Sequence, residues 1–165
     1  MLVQEEFCFK SARHSGGAYL GEWKLVPVRP MPRPTFAAIL DPKAAQAYWE
    51  QAVETAPDIT PEVERLVVVA LNCRGIPLGH AVTSVGTVDS TIFHPREVFR
   101  AAIVASAASI VVLHNHPSGD PTPSSADQRT TRALREASTL LQIAIFDHVI
   151  VGDPDIFSFR ESGML

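Results

Sequence analysis

Two histidines stand two residues apart where an apolar run ends, His114 and His116 in the stretch SIVVLHNHPSGDPTPSSAD, residues 109–127. Side chains at this spacing on a strand point the same way, with Cα atoms roughly 6.6 Å apart. Two imidazoles so placed can bind one metal ion, and zinc favours nitrogen and oxygen ligands. The pattern predicts a metal site that needs a further ligand from elsewhere in the chain.

Asp127 is the candidate for that third ligand. The loop 117–123 contains Gly119, which allows a turn, and three prolines that restrict its conformations. Such a loop can return the next helix to the histidines, and the helix dipole favours a carboxylate in the first turn. Ser124 and Asp127 also match a capping box, so capping and metal binding both stay open for this pair. Ser124 could also donate to an oxyanion beside the metal.

The composition is that of an ordinary globular domain. The chain has 165 residues, of which 46% are hydrophobic and 19% charged, with a net charge of −4. This balance argues against a protein that mainly wraps nucleic acid. The two cysteines, Cys8 and Cys73, are far apart, which disfavours a disulfide framework. The acidic start does not resemble a signal peptide and the apolar runs are too short to span a membrane, so we expect a cytoplasmic protein with no membrane partner.

The apolar patterns predict an α/β (α+β) domain at 36–165, preceded at 1–35 by a proline-rich arm or edge strand. We expect a mixed, largely antiparallel central sheet flanked by helices. The predicted helices are 42–56, 95–108 and 124–141, and the predicted strands are 64–72, 76–86, 87–94, 109–116, 143–152 and 157–161.

Other metal-site patterns fit the chain less well. There is no H-E-x-x-H motif and no deaminase signature with a later P-C-x-x-C. An H-x-H site on a TIM barrel needs roughly 250 residues. A cupin should be nearly all β, which the predicted helices contradict.

The complete motif resembles that of a known fold. His114-x-His116, a seven-residue loop beginning at Pro117, and Ser124-x-x-Asp127 resemble the JAMM motif of the JAB/MPN metallopeptidase fold. More closely, HNHPSGDPTPSSAD, the preceding HPREVFRAA and the following DHVIVG resemble the RadC family over about residues 36–165. The length is similar to that of the short members of this family. The resemblance implies a JAB/MPN, cytidine-deaminase-like architecture.

The resemblance also implies a function, that of a zinc-dependent metallopeptidase or isopeptidase acting on a peptide or isopeptide substrate. The zinc (Zn2+) ligands would be His114, His116 and Asp127, and Ser124 would support the oxyanion or the bound water. The general base of such enzymes is a glutamate before the first core strand. It maps best onto Glu64, with Glu62 and Glu97 as alternatives.

Two further groups of residues have both a functional and a structural interpretation. Only one of Asp147 and His148 should face the core. That residue could orient a ligand histidine, or it could be a structural polar residue whose hydrogen bonds are made within the core. Three arginines recur every third residue on the last predicted helix and indicate either a solvated face or a surface for an anionic partner: Arg129, Arg132 and Arg135. The resemblance to the RadC family implies an alternative function, that of a nucleic-acid-associated accessory protein, for DNA repair or anti-restriction, that binds without hydrolysis. The oligomeric state, including a homodimer, stays open.

Overall fold

The computed structural model describes residues 36–56, 60–86 and 94–165. The predicted arm or edge strand at 1–35 lies outside the described residues. So does nearly all of the predicted strand 87–94. In the described residues, no helix is both long and apolar enough to cross a membrane.

Helices and strands alternate along the chain around one five-stranded sheet. The helices are α1 (Pro42–Tyr48), continued by a π-helical turn (Trp49–Val53), α2 (Pro95–Val104) and α3 (Ser125–Leu141). The strands are β1 (Glu64–Leu71), β2 (Pro77–Gly86), β3 (Ser109–Asn115), β4 (Ala144–Val151) and β5 (Ile156–Ser158). The sheet order is β2-β1-β3-β4-β5, and every neighbouring pair is antiparallel except β3 and β4. The expected mixed, largely antiparallel sheet with flanking helices is confirmed.

Helices cover both faces of the sheet, so the central strands are buried on each side. Alternate residues of β1 point to opposite faces. Val67 and Val69 belong to the cluster with α1, whereas Leu66 and Val68 pack in the cluster with α2 and α3. This explains why β1 and β3 read as continuous apolar runs in the sequence.

Three predicted elements differ from the structure by more than one residue at an end. The first helix is α-helical only to Tyr48 before the π-helical turn begins. The predicted helix 95–108 is four residues too long, since α2 ends at Val104 and Ser106 has a φ of 52°. The last strand ends at Ser158, because the hydroxyl of that residue and the backbone N–H of Arg160 both donate to Asp147, which turns the chain.

The loop after β3 is fixed against the turn that follows β4. Gly119 has a φ of +79°, the left-handed region that favours glycine. Its carbonyl accepts from the N–H of Asp153 at 2.9 Å, and a Cβ at Gly152 would clash with it. The loop therefore returns the chain so that α3 starts beside the end of β3.

Candidate metal centre

The end of β3 and the first turn of α3 bring three potential metal ligands together. Strand alternation puts His114 and His116 on one face of the sheet, and the chain places Asp127 in the first turn of α3. His114 and Asp127 are buried, whereas the side chain of His116 is 16% exposed. In the described part of the chain, these residues form the one cluster of three or more His, Cys, Asp or Glu that could hold a metal ion.

The distances between the ligand atoms suit a tetrahedral ion. Nε2 of His114 lies 3.1 Å from Nε2 of His116 and 3.4 Å from Oδ1 of Asp127, and Nε2 of His116 lies 3.6 Å from Oδ2. Zinc bonds of about 2.0–2.1 Å in a tetrahedron separate neighbouring ligand atoms by about 3.4 Å. The three side chains therefore lie close enough together to share one ion, since their ligand atoms are all within 4.8 Å of one another.

The carbonyl of Asp120 selects the metal-binding nitrogen of His116. Nδ1 of His116 lies 2.7 Å from this oxygen. Because a carbonyl can only accept, Nδ1 carries the proton in this contact and the neutral ring offers Nε2 as a ligand. The loop 117–123 thus orients the ligand as well as returning the chain.

The charges at the site also favour a cation. Burial by itself would raise the pKa of Asp127, but the imidazoles of His114 and His116, whose Nε2 atoms lie 3.4 Å and 3.6 Å from its oxygens, outweigh it and hold that pKa well below its usual range. The neighbouring carboxylate of Asp127 in turn raises the pKa of His116. Two imidazole nitrogens and an ionised carboxylate thus face one point, an arrangement that a proton or a metal ion stabilises.

Ser124 and Asp127 form the capping box at the start of α3. The backbone N–H and the hydroxyl of Ser124 donate to Oδ2 of Asp127 at 2.7 Å and 2.5 Å. The backbone N–H of Asp127 donates to Oγ of Ser124 at 3.2 Å. The two interpretations of this motif are compatible, because the cap leaves Oδ1 of Asp127 near His114 and orients the carboxylate toward the histidines.

The sheet register puts Glu64 on the face of the two histidines. Leu66 of β1 is the Cα partner of His114. Because the two strands are antiparallel, Glu64, two residues before Leu66, and His116, two residues after His114, also lie on this face. Glu64 lies close enough that its charge contributes to the raised pKa of His116.

The two alternative bases have different surroundings. Glu62 is exposed in the turn before β1. Glu97 lies on α2, where its carboxylate contacts Arg96 at 3.3 Å and Arg100 at 3.0 Å. Of the three glutamates, Glu64 is therefore the one that the sheet register places on the face of the two histidines.

Asp147 and His148 are both buried, but only His148 contacts a ligand. Nε2 of His148 lies 2.9 Å from Nδ1 of His114. Asp147 instead accepts hydrogen bonds from Ser158 and Arg160, and so fixes the turn after β5.

Two polar residues at the site were missed by reasoning from the sequence. Thr131 contacts Nδ1 of His148 at 2.7 Å, and Asn115 connects β3 to the segment before β1. The sequence positions of both residues give a weak indication of these roles. Thr131 lies one helical turn after Asp127, and Asn115 stands between the two histidines.

The three arginines of α3 do not join the metal cluster. Arg129, Arg132 and Arg135 are exposed. Among the residues that the structure describes, none of the three forms a salt bridge at 4.0 Å or less. They form a stripe of exposed positive charge along the helix.

The fold and the site together define a JAB-type domain with a candidate metal centre of two histidines and an aspartate. A family model described as the RadC-like JAB domain matches residues 39–164, nearly all of the described chain. The chain belongs to the RadC family.

Curated relatives from distant bacteria support this assignment. The chain is 47% identical over 123 residues to a UPF0758 protein of Chlorobaculum parvum, which covers 74% of this chain and 54% of the relative. It is 46% identical over 104 residues to one of Thermotoga maritima, covering 63% and 47%. It is 48% identical over 100 residues to a UPF0758 protein of Staphylococcus carnosus, a match that covers 61% of this chain and 44% of the relative. The chain thus spans about half the length of the curated relatives it matches.

Proposed function

We propose that this domain is a zinc-dependent hydrolase of the JAMM type, a metallopeptidase or isopeptidase that cleaves an amide bond with water. The observation that carries the proposal is the convergence of His114, His116 and Asp127, whose ligand atoms lie within 4.8 Å of one another. Partial exposure of His116 leaves one side of the group accessible to water and substrate. A catalytic zinc site needs three protein ligands and such an open position.

The chain supplies the remaining groups for the reaction. Zinc in such a site provides Lewis acidity, which acidifies water and polarises a carbonyl. Glu64, beside His116, takes a proton from the attacking water and delivers it to the leaving amine as the C–N bond breaks. The hydroxyl of Ser124, which donates to Asp127 in the structure, can rotate to donate to the developing oxyanion.

Metal content and cleavage test this proposal separately. After loading with zinc and desalting, we expect about one zinc per chain by mass spectrometry, as the three-ligand site predicts. Replacing His114 and His116 together with alanine should abolish it, and unchanged zinc in that double variant would show that the site is elsewhere. Cleavage is then sought in peptide and isopeptide libraries by mass spectrometry. A zinc-loaded chain that cleaves no member, under conditions where a known metallopeptidase does, argues for binding without hydrolysis.

The arginine stripe supports a second candidate function, binding of a nucleic acid without hydrolysis. Arg129, Arg132 and Arg135 are exposed, and no carboxylate in the described residues forms a salt bridge with them. Such a stripe is suited to backbone phosphates. The net charge of −4 counts against it as the main role of the chain.

Salt dependence distinguishes the two candidates. Binding through the stripe predicts that DNA affinity falls as the salt concentration rises, with a slope of log K against log salt of about −0.9 per phosphate contact. Replacing Arg129 and Arg132 with alanine should reduce both the affinity and the slope. The control variant is Arg74→Ala, which changes an exposed arginine in the turn between β1 and β2. Equal effects of the two changes would exclude a specific role for the stripe.

A further inference from the structure

We propose that Thr131, acting through His148, positions His114 by fixing which ring nitrogen of His114 carries the proton, so that Nε2 remains free for a metal ion. This inference rests on the metal site proposed above and assigns Thr131 as a positioning residue for it. It names a residue outside the JAMM motif that decides how well the motif binds metal.

Three hydrogen bonds link four buried residues in a series, from His114 through His148 and Thr131 to Asp127. Nδ1 of His114 lies 2.9 Å from Nε2 of His148, and Nδ1 of His148 lies 2.7 Å from Oγ1 of Thr131. The Thr131 hydroxyl donates to the backbone carbonyl of Asp127 at 2.7 Å. The side chain of Asp127 in turn lies beside the first residue of the series, with its Oδ1 3.4 Å from Nε2 of His114.

The direction of each hydrogen bond follows from one acceptor. The Asp127 carbonyl can only accept, so the single hydroxyl proton of Thr131 is committed to it. Oγ1 of Thr131 must then accept from Nδ1–H of His148. A neutral His148 with its proton on Nδ1 has a bare Nε2, which can only accept from Nδ1–H of His114. His114 is thereby left with its lone pair on Nε2, facing His116 and Asp127.

The surroundings of His148 keep it neutral and exclude water from this series of hydrogen bonds. The rings of His148 and Phe159 are stacked, with centroids 4.6 Å apart and an interplanar angle of 8°. His114, Thr131, His148 and Phe159 are each at most 1% exposed. A charged imidazole is disfavoured in so buried a position, so His148 holds only one ring proton.

The topology explains why a residue on α3 controls a ligand on β3. Asp127 and Thr131 lie one turn apart on α3, while parallel pairing of β3 and β4 aligns Val112 with His148 and brings His148 beside His114. Helix α3 therefore supplies both a candidate ligand, the carboxylate of Asp127, and the acceptor that sets the direction of the hydrogen bonds, the carbonyl of the same residue. Partners that orient a metal-binding histidine typically change metal affinity by about 10–100-fold when removed.

The matched variants Thr131→Val and Thr131→Ser test whether the Thr131 hydroxyl positions His114. Valine keeps the shape but removes the hydroxyl, whereas serine keeps the hydroxyl. We expect the valine variant to bind zinc at least about tenfold more weakly, by competition with a chelator. The serine variant should bind like the unmodified protein. Equal affinity of the valine variant and the unmodified protein would overturn the proposal, provided that circular dichroism shows both to be folded.

Nitrogen-15 NMR of the histidine rings tests the same inference without any variant. In zinc-free protein at pH 8, His114 should carry its proton on Nδ1 and His148 should do the same. A proton on Nε2 of His114 would overturn the proposal even if Thr131→Val fails to fold. Neither measurement depends on catalysis, so absence of hydrolysis would overturn the proposed enzyme and leave this inference to stand on the NMR and affinity results.

Discussion

The side chain of Asn115 accepts a hydrogen bond from the backbone N–H of Arg65 at 2.9 Å, across 50 residues of sequence. The amide of Asn115 donates to the carbonyls of Pro61 and Val63, each at 3.2 Å. These contacts bind the segment around Glu64 to the strand that carries both histidines. Asn115, the residue between the two ligands, thus positions the proposed base relative to the metal.

Replacing Asn115 with alanine should therefore loosen the Glu64 segment and leave the ligands in place. The backbone groups of Pro61, Val63 and Arg65 lose a partner, and a buried unsatisfied group costs about 1–3 kcal/mol. We expect a loss of that order in the free energy of unfolding, measured with urea, and unchanged zinc content. Full stability in this variant would show that the Asn115 contacts do not hold the segment.

Replacing Glu64 with glutamine should remove the proton transfer without changing zinc binding. General base catalysis contributes about 10²–10⁴-fold, so we expect kcat on a cleaved substrate to fall by at least about 10²-fold. Zinc content should stay at the level of the unmodified protein. The measurement is the steady-state rate on any substrate found in the library screen, together with metal analysis of the same sample.

Glu62→Gln is the matched control, since Glu62 lies on the same segment but is exposed before β1. The same substitution there should leave kcat nearly unchanged. If Glu62→Gln reduces the rate as much as Glu64→Gln, the assignment of the base from the register of β1 and β3 is wrong.

Zinc should stabilise the folded chain through the three ligands. A metal that binds only the folded state adds about 2.7 kcal/mol when its free concentration is 100 times the dissociation constant. We expect zinc to raise the midpoint of thermal unfolding of the unmodified protein. The double alanine variant of His114 and His116 should show no such shift, and an equal shift would place the binding elsewhere.

The cluster of His114, His116 and Asp127 could be predicted from the sequence because its spacing is local. Two histidines two apart on a strand share a face, and a carboxylate three residues after a cap lies in the first helical turn. The fold class followed from the alternation of apolar runs with helical patterns. These features depend on a few neighbouring residues, so one sequence is sufficient.

Features that depend on the pairing of distant strands could not be predicted in this way. The alignment of Leu66 with His114 distinguishes Glu64 from Glu62, and no local pattern fixes that register. The irregularity between Ile110 and Val111 aligns His148 with Val112 and thereby places it beside the ligand. The contact of Thr131 with His148 likewise exists only once α3 has packed on β4.

The stability of the domain should depend on pH through His80, on the opposite face of the sheet from the metal ligands. His80 is buried on β2, where its Nδ1 lies 3.0 Å from the hydroxyl of Tyr48. Burial lowers the pKa of His80 from 6.5 to about 4. A base whose pKa is depressed on folding binds protons more readily when unfolded, so its contribution is intact above pH 6.5 and is lost as the pH falls toward 4.

We expect the zinc-free protein to lose roughly 3 kcal/mol of unfolding free energy through His80 between these pH values, at about 1.4 kcal/mol per pH unit. His80→Gln keeps a hydrogen-bonding group near Tyr48 but cannot titrate in this range. The difference between the two proteins isolates His80 from the other titrating groups, because all of those are common to both. Urea unfolding at pH 7.5, 6, 5 and 4 measures this difference. Parallel pH dependence in the two proteins would show that His80 is readily protonated in the folded state.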